Sequence, residues 1–111
     1  MIEAILIEYL NEEMSVPAYA QRPEDEDDQY VIVEKTGSTT VNKLTTATIA
    51  IQSYAGRLLD AATLNEEVKA VMDGFAALPE ISAAKLMTDY NFTSTASKQP
   101  RYQAVYQITH Y

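Results

Sequence analysis

The chain has no cysteine, no tryptophan, a single histidine, three glycines, and eight basic residues against sixteen acidic ones in 111 residues. Without cysteine there is no disulfide framework, no thiolate metal site and no cysteine nucleophile. Gly37, Gly56 and Gly74 are scattered, so neither a phosphate-cradling loop nor a dinucleotide fingerprint can be assembled. A general base at His110 would need a nucleophile and an orienting group, and a surface or interface imidazole is the plainer reading. The net charge of −8 argues against duplex DNA, RNA or anionic lipid as a primary partner. No apolar run approaches the ~20 residues of a membrane span, and the first apolar stretch carries Glu8 where a secretory leader has an unbroken core. The expectation is a protein soluble and intracellular at synthesis, with no catalytic residue, cofactor or metal.

What is present is ordinary globular material, 47% hydrophobic and 22% charged, in a length that suits one domain spanning residues 1–111. Ile2, Ile5, Leu6, Tyr9 and Leu10 have the spacing of an amphipathic helix that ends near Met14, stopped by Ser15 and Pro17. A short edge strand over 16–21 follows. Residues 30–35 are β-branched and read as a strand, with turn chemistry at Gly37, Ser38, Thr39 and Thr40. Residues 44–54 read as a long strand with Ala47, Ile49 and Ile51 on one face. A helix within 56–77 buries Leu58, Ala61, Ala62, Leu64, Val68, Val71, Met72 and Phe75. The box at Thr63 and Glu66 competes for its start, but the stripe favours an earlier one. Residues 85–92 alternate through Leu86, Thr88, Tyr90 and Phe92. They pair with a final strand that carries Tyr102, Ala104, Tyr106, Ile108 and His110 on one face. The predicted fold is α+β, an antiparallel sheet with two helices packed on one face in the order α-β-β-β-α-β-β.

Two features ask for a role. Glu24, Asp25, Glu26, Asp27 and Asp28 form a contiguous acidic run without the spaced oxygens and central glycine of a calcium loop, so in isolation it reads as a solvated loop. Eight tyrosines without tryptophan fit either strand preference or a contact surface, since tyrosine is enriched at protein interfaces. Tyr54, Tyr102 and Tyr106, all on proposed strands, are the candidate subunit-interface residues.

Several segments together resemble a known family. They are Arg22-Pro23, Val33-Glu34-Lys35-Thr36-Gly37, Ile49-Ala50-Ile51-Gln52-Ser53-Tyr54-Ala55, Val68-Lys69-Ala70-Val71-Met72, and the end from Pro100-Arg101-Tyr102-Gln103-Ala104-Val105-Tyr106 to Gln107-Ile108. Across nearly its whole length the chain resembles the tail terminator, or tail completion, proteins of long, non-contractile-tailed bacteriophages and prophages. The resemblance implies a virion neck protein made in the host cytoplasm. It implies a homo-oligomer, a hexameric ring that stops tail-tube growth, contacts the tail-tube protein and the head-closure connector protein, and lets DNA pass without specific binding. The family has no catalytic residues to carry over. In such a ring the acidic run is expected to line the lumen, where carboxylates repel phosphates, or to meet a basic neighbour. The alternative is a small acidic adaptor or DNA mimic that binds a basic partner. Five of the sixteen acids fall in one run, where a mimic needs them spread over a face.

Overall fold

Ile2, Leu6 and Leu10 recur every fourth residue in a stretch free of glycine and proline, and they form the buried stripe of helix α1, Ile2–Glu13. The structure, a computed structural model, describes residues 1–22, 29–93 and 99–111. The acidic run 24–28 therefore lies outside the described residues. Beyond α1, Met14 turns to extended backbone, and Asn11 clamps the chain that follows. The Asn11 side chain accepts from the Ala18 amide at 2.9 Å and donates to the Ala18 carbonyl at 3.1 Å. This folds the chain back, so that strand β1, Ala18–Tyr19, runs parallel to strand β2, Tyr30–Val41.

Strand β2 pairs antiparallel with β3, Leu44–Tyr54, across a two-residue turn. Helix α2, Leu58–Met72, and a short 3₁₀ turn, Phe75–Ala77, lead into β4, Ile81–Asn91. The last strand, β5, Arg101–His110, inserts between β3 and β4 and pairs antiparallel with both. The sheet order is β1-β2-β3-β5-β4, so β5 is an inner strand and β4 an edge.

One face of the sheet carries both helices. Val31, Val33, Ala47, Ile49, Ile51, Ala104, Tyr106 and Ile108 project from three strands and pack against Leu6, Leu10, Leu64, Val68, Met72 and Phe75. The expected α+β order and the placement of the helices on a single face hold. Burial of each such Leu, Ile or Phe contributes about 1.5–3 kcal/mol relative to exposure. Ser15 ties the helices together, its amide and hydroxyl both donating to the Glu67 carboxylate at 2.7 and 2.8 Å.

Three local expectations are corrected. The turn expected at 37–40 is strand: β2 runs on to Val41, absorbs a register shift between Lys35 and Gly37, and turns at Asn42 and Lys43, both at positive φ (51° and 66°). Cross-strand threonines explain the extension, with the Thr40 and Thr45 hydroxyls 3.0 Å apart and Thr36 donating to the Thr48 carbonyl at 3.3 Å. The buried helix stripe does not include Leu58, which is 45% exposed, and α2 stops at Met72, leaving Phe75 to reach the core from the 3₁₀ turn. The earlier start favoured for this helix holds: α2 begins at Leu58, and the Thr63 hydroxyl lies inside it, donating to the Leu59 carbonyl at 2.9 Å. In β4 a register shift between Leu86 and Thr88 divides the expected single face. Leu86, opposite Tyr106, stays on the helix side, while Thr88 and Tyr90 lie opposite Val105 and Gln103 on the other.

Candidate interaction surfaces

The helix-free face of the sheet is held by a polar chain that crosses three strands. Arg101 Nη1 donates to Tyr54 Oη at 2.8 Å, and Tyr54 Oη donates to Gln52 Oε1 at 2.9 Å. Gln52 Nε2 donates to Gln103 Oε1 at 2.9 Å, and Gln103 Nε2 donates to Tyr90 Oη at 2.6 Å. Strand alternation produces this alignment, because Gln52 faces Gln103 across β3 and β5 while Gln103 faces Tyr90 across β5 and β4. Tyr54 also stacks on Tyr30, with centroids 4.9 Å apart and rings 10° from parallel. The Arg101 guanidinium lies 4.5 Å over the Phe92 ring, within cation–π range. Four successive hydrogen bonds link the five side chains, so the two buried glutamines rigidify the face.

The helix side carries a cleft of about 390 Å³ between the C-terminal half of α2 and β4. Met72, Ala84 and Leu86 supply its apolar wall, and Glu66, Lys69 and Asp73 its polar rim. Lys69 Nζ contacts Glu66 Oε1 at 2.9 Å and Asp89 Oδ2 at 3.0 Å, and Asn65 Nδ2 donates to the same Asp89 oxygen at 2.8 Å. The bonds to Glu66 and Asp89 hold Lys69 above its ordinary range. Lys69 is thereby committed to two carboxylates, which leaves the rim acidic. Tyr106 also lines the cleft and is only 4% exposed. Burial pushes its hydroxyl up to about 12, with Asp73 and Asp89 adding to the rise and Lys69 opposing it. It stays a neutral phenol at any ordinary pH.

The three candidate interface tyrosines do not share one surface. Tyr54 is buried on the helix-free face, Tyr106 is buried on the helix side, and Tyr102 is half-buried on the same side as Tyr106. His110 is half-buried, with Nδ1 3.2 Å from the Tyr111 carbonyl and Nε2 buried without a partner among the described residues. Glu66 on α2 and Asp73 at its C-cap are solvent-exposed, while Glu67, bonded to Ser15, is half-buried. The sequence did not reveal the joining of Lys69 and Asp89, which lie 20 residues apart on α2 and β4. It also did not reveal Arg101 as the head of the polar chain. The only available signal was charge on the alternating positions of two strands.

Large apolar side chains are concentrated on the β4 edge, where Leu86, Met87, Tyr90 and Phe92 are all exposed. A second exposed pair, Leu58 and Leu59, opens α2. Among the described residues no helix is long and apolar enough to cross a membrane, and no three His, Asp or Glu side chains gather where a metal could sit. These features define an α+β protein whose notable surfaces are an open sheet edge and an acidic cleft beside it. In comparison with known proteins, no family model matches the chain and no curated protein is a significant relative.

Proposed function

We propose that this protein is a non-enzymatic structural subunit of a tailed-phage neck, a tail terminator. Its ring caps the tail tube, joins it to the head connector and lets DNA pass through the lumen. The role and the sixfold symmetry come from the sequence resemblance. One structural observation supports ring building: the sheet has two unlike open edges. Strand β4 has no outer strand neighbour among the described residues along its eleven residues, and it carries exposed Leu86, Met87 and Tyr90, with exposed Phe92 just past its end. At the other edge β1 pairs with Val31 and Ile32 of β2, and residues 33–41 have no outer strand neighbour among the described residues.

Edges of this kind are templates for pairing with another chain, and β4 is long and free of proline, with Lys85 and the register shifts at 81–83 and 86–88 blunting it in part. Unlike surfaces on opposite sides of a subunit give head-to-tail contacts, which close into rings when the rotation allows. The net charge of −8 suits a wall past which DNA slides. Light scattering on a sizing column, with the protein alone and with tail-tube subunits, tests the reading. Closed rings, seen also by negative-stain microscopy, are expected. Monomers under both conditions would count decisively against it.

A further inference from the structure

The ends of α2 carry charge in the order that the helix itself disfavours. Arg57 stands at the N-cap and Asp73 at the C-cap. The helix dipole prefers an anion at the first and a cation at the second, and only Asp60 and Lys69, one turn inside, obey that preference. Arg57 and Asp73 make no ion pair within the protein among the described residues. They cannot pair with each other, because the fifteen-residue helix between them holds them ~24 Å apart. Beside Arg57, Leu58 and Leu59 are 45% and 70% exposed, on a helix whose other leucine is buried. Beside Asp73 lies the cleft, with Glu66 on its rim and Met72, Ala84 and Leu86 along its wall. Within it lies the Tyr106 hydroxyl, on a side chain almost fully buried, which makes no hydrogen bond among the described residues.

We propose that the first turn of α2 in one copy docks into the α2–β4 cleft of the next. Arg57 meets Asp73 and Glu66 and reaches the Tyr106 hydroxyl, while Leu58 and Leu59 cover Met72 and Leu86. Charge and apolarity match at both ends: a cation flanked by two leucines faces two carboxylates flanked by an apolar wall. A guanidinium carries five donors, enough for both carboxylates and the phenol oxygen. The contact joins different surfaces of identical chains, so it propagates head to tail, and the cleft adjoins the β4 edge already assigned to assembly. This inference rests on the ring reading above and specifies its contact.

The absence of cysteine makes the test clean. Leu59→Cys combined with Ala70→Cys, a cleft position, should give an intermolecular disulfide ladder under mild oxidation, while either single variant gives none beyond background. Arg57→Asp should lose the ring peak in sedimentation velocity, and the swap Arg57→Asp with Asp73→Arg should restore it, with helical content unchanged throughout. Rings that survive Arg57→Asp, a charge swap that fails to restore them, or rings without a ladder overturn this contact and leave the ring reading standing. Wild-type protein that stays monomeric with and without tail-tube subunits overturns both.

Discussion

The Tyr9 hydroxyl stands 2.8 Å from the point that a Cβ on Gly74 would occupy. It is held there by donating to the Val71 carbonyl at 2.7 Å, with its ring tilted against Phe75 at 5.2 Å between centroids. Gly74 has an ordinary negative φ, so it is the approach of Tyr9, not backbone conformation, that requires glycine. Through this contact α1 locks the end of α2.

Gly74→Ala should therefore push the phenol off its carbonyl and destabilise the fold by about 1 kcal/mol, the usual worth of one hydrogen bond. Tyr9→Phe in the same chain should recover part of that loss, since it removes the clashing oxygen. Thermal melts of the two single variants and the double variant check this, and an additive double variant would show that the two residues do not interact.

Phe75 is fully buried among Tyr9 and the residues of α1 and α2. Phe75→Ala should cost ~3–5 kcal/mol by urea unfolding, as for buried aromatics in general. A variant that unfolds at the wild-type midpoint would contradict the packing described.

Gln103→Leu breaks the polar chain at its centre, leaving the buried Gln52 amide without its acceptor and Tyr90 without its donor. The expected cost is about 1–3 kcal/mol. Replacing Gln52 and Gln103 together by leucine should cost less than the sum of the single changes, because each single change orphans the other amide. A double-mutant cycle by chemical denaturation measures the difference, and zero coupling would refute the network.

Tyr106 supplies a pH signature. Its folded-state value, about 12, lies above the ordinary phenol value of 10.0. Below pH 10 the hydroxyl is protonated in both states, and its contribution is fully present. Between pH 10 and 12 the unfolded chain loses the proton first, so stability falls as pH rises. Tyr106→Phe should flatten that alkaline decline relative to wild type. Denaturation midpoints at pH 9, 10 and 11 give the comparison, and parallel declines would mean that Tyr106 titrates normally.

Much of the fold was legible along the chain because the periodicities were clean. The stripe of α1, the bounds of β3 and the alternation of β5 follow from the positions of Ile, Leu and Ala, and burial enforces each one. The turn at Asn42 and Lys43 was not legible, since glycine and serine at 37 and 38 offered a stronger local signal. Pairing with β3 overrode that signal by giving the threonines of β2 partners. The division of β4 was hidden for a similar reason: alternation assumes one residue opposite one, and a bulge breaks the count. As for surfaces, the sequence singled out tyrosines by type, and the structure buried two of the three.

The sequence alone determined the α+β class and the surplus of acid, because those depend on local spacing and composition. Only the tertiary structure decided that β5 is an inner strand and β4 an edge, and that Lys69 meets Asp89. It alone aligned Arg101, Tyr54, Gln52, Gln103 and Tyr90 into one chain. Each of these depends on which strands lie side by side. Strand order is set by how the whole chain covers its apolar faces, a global choice that no local pattern encodes.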